Sequence, residues 1–296
     1  MLYLYNEYFS FFSKLKRFLG KPSRGPEAVF ESLTAGLTEI GQEYKINHPF
    51  NLVMETVCVL SGVNVLKDAI QHKQNGKIKT LIAGPNIVVH PNEANGILKS
   101  SAIDKIVVPS LWVKDFYSSI APEITEKIFV WPAGVSDFGL AQESKNIDIL
   151  YKSGDFNLVE EAYKISKEQG FSPSIIFYGK FDRKNYTDIL KDTKLLVYIS
   201  ESESQGLALF EAWMANVPTL VWDRGYMQYE NYKWTGNTSA PYLTKETGML
   251  FKNLEDLKVK FKFMIENYSQ FNPREYSLKN YTNKICAQKF IGILFN

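Results

Sequence analysis

Short apolar runs alternate with longer amphipathic stretches along the whole chain. Apolar runs of about four to eight residues are typical of buried strands, and the stretches between them have helical spacing. Strands that alternate with helices form parallel sheets covered by helices on both faces. The chain is therefore predicted to be of the α/β class, with its chemistry in the loops that follow the carboxyl ends of the strands.

The alternation runs through the chain twice. In the first half the predicted strands are 2–5, 44–46, 52–60, 80–83, 106–108 and 128–131, and the predicted helices are 26–40, 63–74, 93–101 and 111–119. In the second half the predicted strands are 147–151, 174–178, 195–200 and 219–222, and the predicted helices are 157–169, 184–191, 205–215 and 254–268. The segment 132–145 contains Pro132, Gly134 and Gly139 and is the predicted linker.

The two series predict two doubly wound, Rossmann-like domains that face each other across a cleft. We assign residues 1–134 to an N-terminal, acceptor-side domain and 135–275 to a donor-binding domain. The remaining residues, 276–296, are predicted to form a C-terminal helix near 276–292 that packs back on the N-terminal domain.

Charge and cysteine content narrow the classes of function. The net charge of +2 gives no support for a nucleic-acid partner, which requires clustered basic charge. Cys58 and Cys286 are far apart and form no metal-binding pair, as expected of reduced thiols in a cytoplasmic protein. The three histidines lack metal-ligand spacing and no Asp-x-Asp sequence occurs, so we expect neither a metal site nor a cofactor.

The N-terminal segment has two interpretations. Aromatic residues and Leu15 and Leu19 recur near helical spacing among four basic residues, Lys14, Lys16, Arg17 and Lys21. Such a helix can lie on a membrane surface, which predicts peripheral membrane contact. The alternative is a first strand followed by a helix packed within the domain.

The segment 195–223 carries the clearest chemical signal. An apolar strand, 195–200, leads through a polar turn around Glu203 into a helix that contains Glu211. The first amide groups of such a helix have no partner within it, and the helix dipole favours an anion there. Gly206 lets a phosphate approach the backbone closely. Since carboxylates repel phosphate, Glu203 and Glu211 are expected to bind hydroxyl groups.

Glu203 and Glu211 are separated by seven residues, and this run resembles the E-x7-E signature of retaining GT-B glycosyltransferases of family 4. The resemblance implies a GT-B fold, retention of anomeric configuration, contact of the first Glu with the donor sugar and contact of the second with the ribose hydroxyls. Four further segments resemble motifs of that family in the same order: 24–28, 107–113, 131–137 and 247–251. The resemblance spans about residues 24–251, and it places Gly25 in a glycine loop of the donor site.

One departure from the family concerns the diphosphate. Its members have an Arg and, five residues on, a Lys after the first strand of the donor domain, whereas this chain has only Lys152 there. A second cation is predicted to come from Lys180 or Arg183, and the alternative is that both are simply solvated. In the other half, His90 lies in a loop after a strand. It positions the acceptor or touches the donor sugar, or it is a structural histidine bonded to backbone.

These observations predict transfer of a sugar from a nucleoside diphosphate to an acceptor hydroxyl, without a metal. Lys152, Glu203 and His90 are the predicted catalytic residues. The predicted donor-binding residues are Lys180, Arg183, Ser204, Gln205, Gly206, Leu207, Glu211 and Gly25. Two alternatives are a sugar-nucleotide-binding protein without transferase activity and a GT-B-fold sugar-nucleotide epimerase. The acceptor, whether a glycan, a lipid or a small molecule, is not encoded in these motifs.

Overall fold

The computed structural model describes residues 1–7, 25–142, 144–181 and 183–295. They divide between two compact units, Met1–Gly134 with Asn283–Asn296, and Val135–Thr282. The segment predicted to contact a membrane falls mostly on residues 8–24, outside the described residues. Within the described ranges, no helix combines the length and the apolar character needed to cross a bilayer.

The first unit is built on a parallel sheet with the strand order β2-β1-β3-β4-β5-β6. Its strands are β1 (Leu2–Asn6), β2 (Tyr44–Ile46), β3 (Met54–Ser61), β4 (Ile78–Asn86), β5 (Lys105–Val108) and β6 (Ile128–Val130). The helices between them are α1 (Gly25–Glu39), α2 (Val63–Gln74), the short α3 (Glu93–Gly96) and α4 (Leu111–Ile120). Strands β3 to β5 are buried along most of their length, as expected of strands covered on both faces.

The last helix of the chain completes this unit. In sequence it follows the second unit, yet α10 (Asn283–Phe295) packs on α1. The two helices approach so closely that a Cβ on Gly36 would lie 2.1 Å from the carbonyl oxygen of Asn283. Buried Trp131 donates from Nε1 to the Cys286 carbonyl at 2.8 Å and meets the Phe290 ring edge-on. The helix is therefore part of the core of the first unit.

The second unit contains a five-stranded parallel sheet with the order β13-β10-β9-β7-β8. Its strands are β7 (Asn146–Tyr151), β8 (Ser172–Phe177), β9 (Leu195–Ile199), β10 (Thr219–Trp222) and β13 (Gly248–Phe251). Its helices are α5 (Asn157–Glu168), α6 (Arg183–Leu190), α7 (Leu207–Met214), α8 (Leu254–Glu266) and α9 (Pro273–Asn280). An antiparallel hairpin, β11 (Tyr226–Tyr229) and β12 (Tyr232–Thr235), follows β10.

Alternation along the central strands fixes the orientation of the second sheet. Ile147 and Ile149 of β7 and Val197 and Ile199 of β9 share one face, where they pack with residues of α5 and α8 in one buried cluster. Successive side chains of a strand point to opposite faces, so Tyr198 of β9 lies on the other face. Burial on both faces holds β7 and β9 rigidly, and the loops that follow them are therefore precisely placed.

The structure corrects two predictions and adds elements that were not predicted. The predicted helix 93–101 is a short turn, because Ala94 and Asn95 adopt left-handed backbone angles, followed by a 3-10 turn at Ile97–Lys99. The predicted single helix 276–292 is two helices that break at 281–282, so the second unit extends to Thr282. Strand β13 and the hairpin were not predicted.

Candidate functional site

The second sheet has a topological switch point between β7 and β9. The chain passes from β7 to β8 on one side, then crosses back to β9 on the other side. In open α/β sheets, ligands bind outside the carboxyl ends of the two strands that flank such a point. Lys152 directly follows β7, and Glu203 lies in the turn that follows β9. The fold thus brings the two predicted catalytic residues of this unit to the same place.

Lys152 and Glu203 form an ion pair at the switch point. The Nζ atom of Lys152 lies 2.8 Å from Oε1 of Glu203. The same oxygen accepts hydrogen bonds from the hydroxyls of Tyr198, at 2.6 Å, and Ser200, at 3.0 Å. Glu203 is buried, whereas 30% of the Lys152 side chain is exposed, so the ammonium group borders both the carboxylate and solvent. It also lies 4.8 Å from the centre of the Tyr178 ring.

The environment keeps the lysine charged. Burial by itself opposes the ammonium charge, but the carboxylate of Glu203 and its hydrogen bond outweigh burial and raise the pKa of Lys152. Burial, followed by the nearby Glu203, raises the pKa of Tyr198 well above its ordinary value. Tyr198 therefore stays a neutral donor to the carboxylate, and Lys152 stays charged across the neutral pH range.

The turn that carries Glu203 is fixed by its backbone as well. The Glu203 amide donates to the Thr238 carbonyl at 2.6 Å, and the Ser239 hydroxyl donates to the Ser200 carbonyl at 3.2 Å. The Ser153 hydroxyl accepts from the Glu201 amide at 3.1 Å, so the loop after β7 is joined to the turn after β9. These three contacts fix the position of the carboxylate relative to Lys152.

Helix α7 starts at this turn. Gly206 has a left-handed φ of 87°, and its carbonyl accepts the first helical bonds, from Leu209 at 3.0 Å and Phe210 at 3.3 Å. The amides at the start of the helix, such as that of Leu207, have no acceptor within the helix. Gln205 is buried and Ser204 is exposed beside them. The predicted phosphate-binding backbone is therefore adjacent to Glu203.

Arg183 and Glu211 form a second ion pair, which was not predicted. Arg183, the first residue of α6, donates from Nε to Oε1 of Glu211 in α7. Burial raises the pKa of Glu211 even though the guanidinium opposes the shift. The Tyr186 hydroxyl donates to the Ala208 carbonyl at 3.0 Å, which joins the two helices. Arg183 is therefore a partner of the second glutamate rather than a separate cation, while its side chain remains 28% exposed.

Lys180, the other candidate for a second cation, is exposed and lies over an aromatic ring. Its Nζ atom is 5.0 Å from the centre of the Phe177 ring at the end of β8. Phe177 and Tyr178 are themselves 38% and 46% exposed. The structure does not bring Lys180 into either ion pair of the site.

The loop after β7 contains a glycine that the sequence did not single out. Gly154 has a φ of 107°, and a Cβ there would lie 2.2 Å from Cζ3 of Trp222. Trp222 ends β10 and donates from Nε1 to the Lys252 carbonyl at 3.2 Å. The indole ring therefore occupies the space beside Gly154 and supports the loop that carries Lys152.

Two predicted site residues lie in the first unit. His90, in the loop after β4, is buried, and its Nδ1 accepts from the Asn92 amide at 3.3 Å. The Glu93 carboxylate accepts from the Val89 amide at 2.8 Å and lies 3.9 Å from His90 Nε2. These contacts within one loop favour the structural interpretation of His90. Gly25 is the first residue of α1.

The sequence matches no protein-family model and no curated protein, whereas the structure is similar to solved glycosyltransferases. The apo lipopolysaccharide outer core galactosyltransferase WaaB matches with a TM-score of 0.62 and 10% identity, over 100% of this chain and 99% of that chain. TarM matches with a TM-score of 0.56 and 14% identity, over 80% of this chain and 54% of that chain. The catalytic domain of starch synthase IV from Arabidopsis thaliana matches with a TM-score of 0.55 and 9% identity, over 90% of this chain and 76% of that chain.

The predicted fold class is confirmed. The chain has the GT-B fold. It spans only about half the length of TarM, and identities of 9 to 14% establish similarity of fold alone. The argument for activity therefore rests on the side chains at the switch point.

Proposed function

We propose that the chain is a glycosyltransferase that takes a sugar from a nucleoside diphosphate and passes it, with retention, to an acceptor hydroxyl. Two ion pairs carry the proposal. Lys152 contacts Glu203 in the turn before α7, and Arg183 contacts Glu211 within α7. Carboxylates next to cations at a helix N-terminus suit a ligand with a diphosphate between two groups of hydroxyls.

The order of these residues along the sheet edge matches the order of groups in such a donor. Arg183 follows β8, Lys152 follows β7 and Glu203 follows β9, and these three strands are neighbours in that order. Neighbouring strands are about 4.8 Å apart, so the three positions follow one another over roughly 10 Å along the sheet edge. We assign Glu211, beside Arg183, to the ribose, Lys152 and the α7 amides to the diphosphate, and Glu203 to the sugar.

Ligands of two structural neighbours support a nucleotide at this site. One structure of S. aureus TarM contains UDP and alpha-GlcNAc-glycerol, and that of starch synthase IV contains ADP and acarbose. By this proposal the present chain also binds a nucleoside diphosphate, and the identity of the base is not specified. A non-transferring sugar-nucleotide-binding protein and an epimerase are the competing outcomes of the tests.

The catalytic proposal follows from charge. When the glycosidic bond breaks, the departing diphosphate gains negative charge, and fixed positive groups aimed at that charge lower the barrier most. Lys152, held charged by Glu203, and the first amides of α7 supply these groups without a metal ion. Glu203, held by Tyr198 and Ser200, orients the sugar hydroxyls. We assign no catalytic role to His90.

The ribose assignment predicts the effect of Glu211→Gln. We expect nucleoside-diphosphate affinity to fall about 10- to 100-fold, because a hydrogen bond to a buried charged group contributes roughly 1.5–3 kcal/mol. Glutamine has the same shape and keeps an oxygen for Arg183, so the fold should persist. The measurement is calorimetric titration with UDP, GDP, ADP and TDP.

Glu168→Gln is the matched control, because Glu168 is exposed and lies 4.0 Å from the exposed Lys164, away from both ion pairs of the site. It should bind nucleotide as the unmodified protein does. A Glu211→Gln protein with unchanged affinity, and an unchanged melting temperature, would show that Glu211 does not hold the ribose.

A further inference from the structure

The hairpin of β11 and β12 is joined to the turn that carries Glu203. At its start, Arg224 donates from Nη1 to Oε1 of Glu201 at 2.8 Å and from Nε to the Tyr226 carbonyl at 2.8 Å. The Gly236 amide donates to the Gly225 carbonyl at 2.8 Å and closes the base of the hairpin. After the hairpin, Thr238 and Ser239 bind the turn itself, as described above. Both ends of the hairpin are thus fixed to the site.

One face of this hairpin is cationic. The strand register pairs Tyr226 with Thr235 and Gln228 with Lys233, so these four side chains point to the same side. The Arg224 guanidinium lies 4.3 Å, and the Lys233 ammonium 4.5 Å, from the centre of the Tyr226 ring. Glu201 offsets the charge of Arg224, whereas Lys233 is exposed and has no ion-pair partner among the residues that the structure describes.

The strand order indicates which ligand group this face would meet. Along the carboxyl edge of the sheet, β10 is the neighbour of β9 on the side away from β7. The hairpin follows β10, so it continues the series Arg183, Lys152, Glu203 by one more strand. If the sugar lies at Glu203, the next position belongs to the molecule that receives it.

We propose that Arg224 and Lys233 form a subsite for an acceptor that carries a phosphate group. The proposal rests on the proposed function, because that function places the sugar at Glu203. An aromatic ring in contact with two cations, of which Lys233 has no ion-pair partner among the described residues, suits an anion next to a polyol or sugar. A phosphate accepts charge-assisted hydrogen bonds from both kinds of cation, and among the described residues no hydrogen bond uses the second terminal nitrogen of Arg224.

The test uses sn-glycerol 3-phosphate as the probe and glycerol as its neutral counterpart. Each is titrated into the full chain with the donor site saturated by the nucleoside diphosphate that binds best, or without nucleotide if none binds. Tryptophan fluorescence, to which Trp234 of β12 contributes, reports binding. The variants are Lys233→Gln, Lys233→Glu and Lys152→Gln. The control is Lys167→Gln, an exposed lysine over the Tyr163 ring on α5.

We expect the unmodified protein to bind glycerol 3-phosphate in preference to glycerol. Lys233→Gln should weaken the phosphate affinity about fivefold, the size of one exposed charge pair, and Lys233→Glu should weaken it further. Lys167→Gln and Lys152→Gln should change it less than about twofold. The Lys233 variants should bind nucleotide as the unmodified protein does. If no protein binds nucleotide, not even the unmodified one, the proposed donor site is wrong, and the phosphate titrations still test the hairpin.

Two results would overturn the subsite. One is equal binding of glycerol 3-phosphate and glycerol, or no binding of either. The other is a phosphate affinity that depends on Lys152 and not on Lys233, which would place the phosphate in the donor site.

Discussion

Replacement of Lys152 with methionine is expected to slow sugar transfer by about 100- to 1,000-fold, the usual effect of removing one fixed donor from a developing negative charge. Methionine keeps the length of the side chain and removes its charge. The hydroxyls of Tyr198 and Ser200 still hold Glu203, so the turn after β9 should stay in place. Affinity for a neutral nucleoside should change little, because the nucleoside carries no phosphate. The measurements are the steady-state rate at which nucleoside diphosphate is released and the calorimetric affinities for the nucleoside and for the nucleoside diphosphate.

Lys180→Met is the matched control for this prediction. Lys180 also follows a strand and also lies over an aromatic ring, but it makes no ion pair with Glu203 or Glu211. Its replacement should change the rate by less than about twofold, as for most exposed charges. Equal losses in the two variants, or an equal loss of nucleoside and nucleoside diphosphate binding in Lys152→Met, would contradict the diphosphate assignment.

Gly154→Ala is expected to damage the same loop by steric means. The added Cβ would lie 2.2 Å from the Trp222 ring, and the φ of 107° is unfavourable for any residue with a side chain. A backbone strain of this kind costs about 1–3 kcal/mol, and displacement of the indole adds to it. We expect a lower free energy of unfolding together with weaker nucleoside-diphosphate binding, because the loop also positions Lys152.

Gly179 is the control that separates backbone strain from the clash with the Trp222 ring. Its φ is 81°, and among the described residues nothing except the glycine itself and its two chain neighbours lies within 4 Å of the position of its Cβ. Gly179→Ala should therefore show the cost of strain without the clash. Adding Trp222→Leu to Gly154→Ala should recover part of the lost affinity. Gly154→Ala and Gly179→Ala proteins of equal stability and equal affinity would show that Trp222 does not support the loop.

Local patterns in the sequence predicted most of the strands and helices of the two sheets. Continuous apolar runs such as 195–199 identify buried parallel strands directly, and the run from Glu203 to Glu211 locates the turn and helix that follow. The hairpin was not predicted because its strands, Tyr226–Tyr229 and Tyr232–Thr235, mix aromatic, amide and charged residues and form no continuous apolar run. Its tight connection uses Glu230 at a φ of 50° instead of the Asn-Gly or Asp-Gly that indicates such turns.

Contacts between distant residues account for the rest of what the sequence did not predict. Arg183 and Glu211 are 28 residues apart, and Gly154 in the loop after β7 is far along the chain from Trp222 at the end of β10, so no local period indicates either contact. The sequence therefore singled out both glutamates, and Arg183 as a candidate cation of the donor site, but not the ion pair between Arg183 and Glu211. It also left His90 open between a site role and a structural role, and the hydrogen bond from the Asn92 amide to its Nδ1 favours the structural one.

The most direct test of glycosyl transfer is to follow a panel of nucleoside diphosphate sugars by proton NMR in the presence of the protein, with and without EDTA. We predict release of free nucleoside diphosphate from one member of the panel, with water taking the sugar in place of the acceptor, and the free sugar should first appear in the same anomeric configuration that it has in the donor. EDTA should not change the rate, because Lys152 and the α7 amides supply the positive charge. A donor that binds but stays intact, or one whose sugar is inverted at a ring carbon while still attached to the nucleotide, would contradict the account.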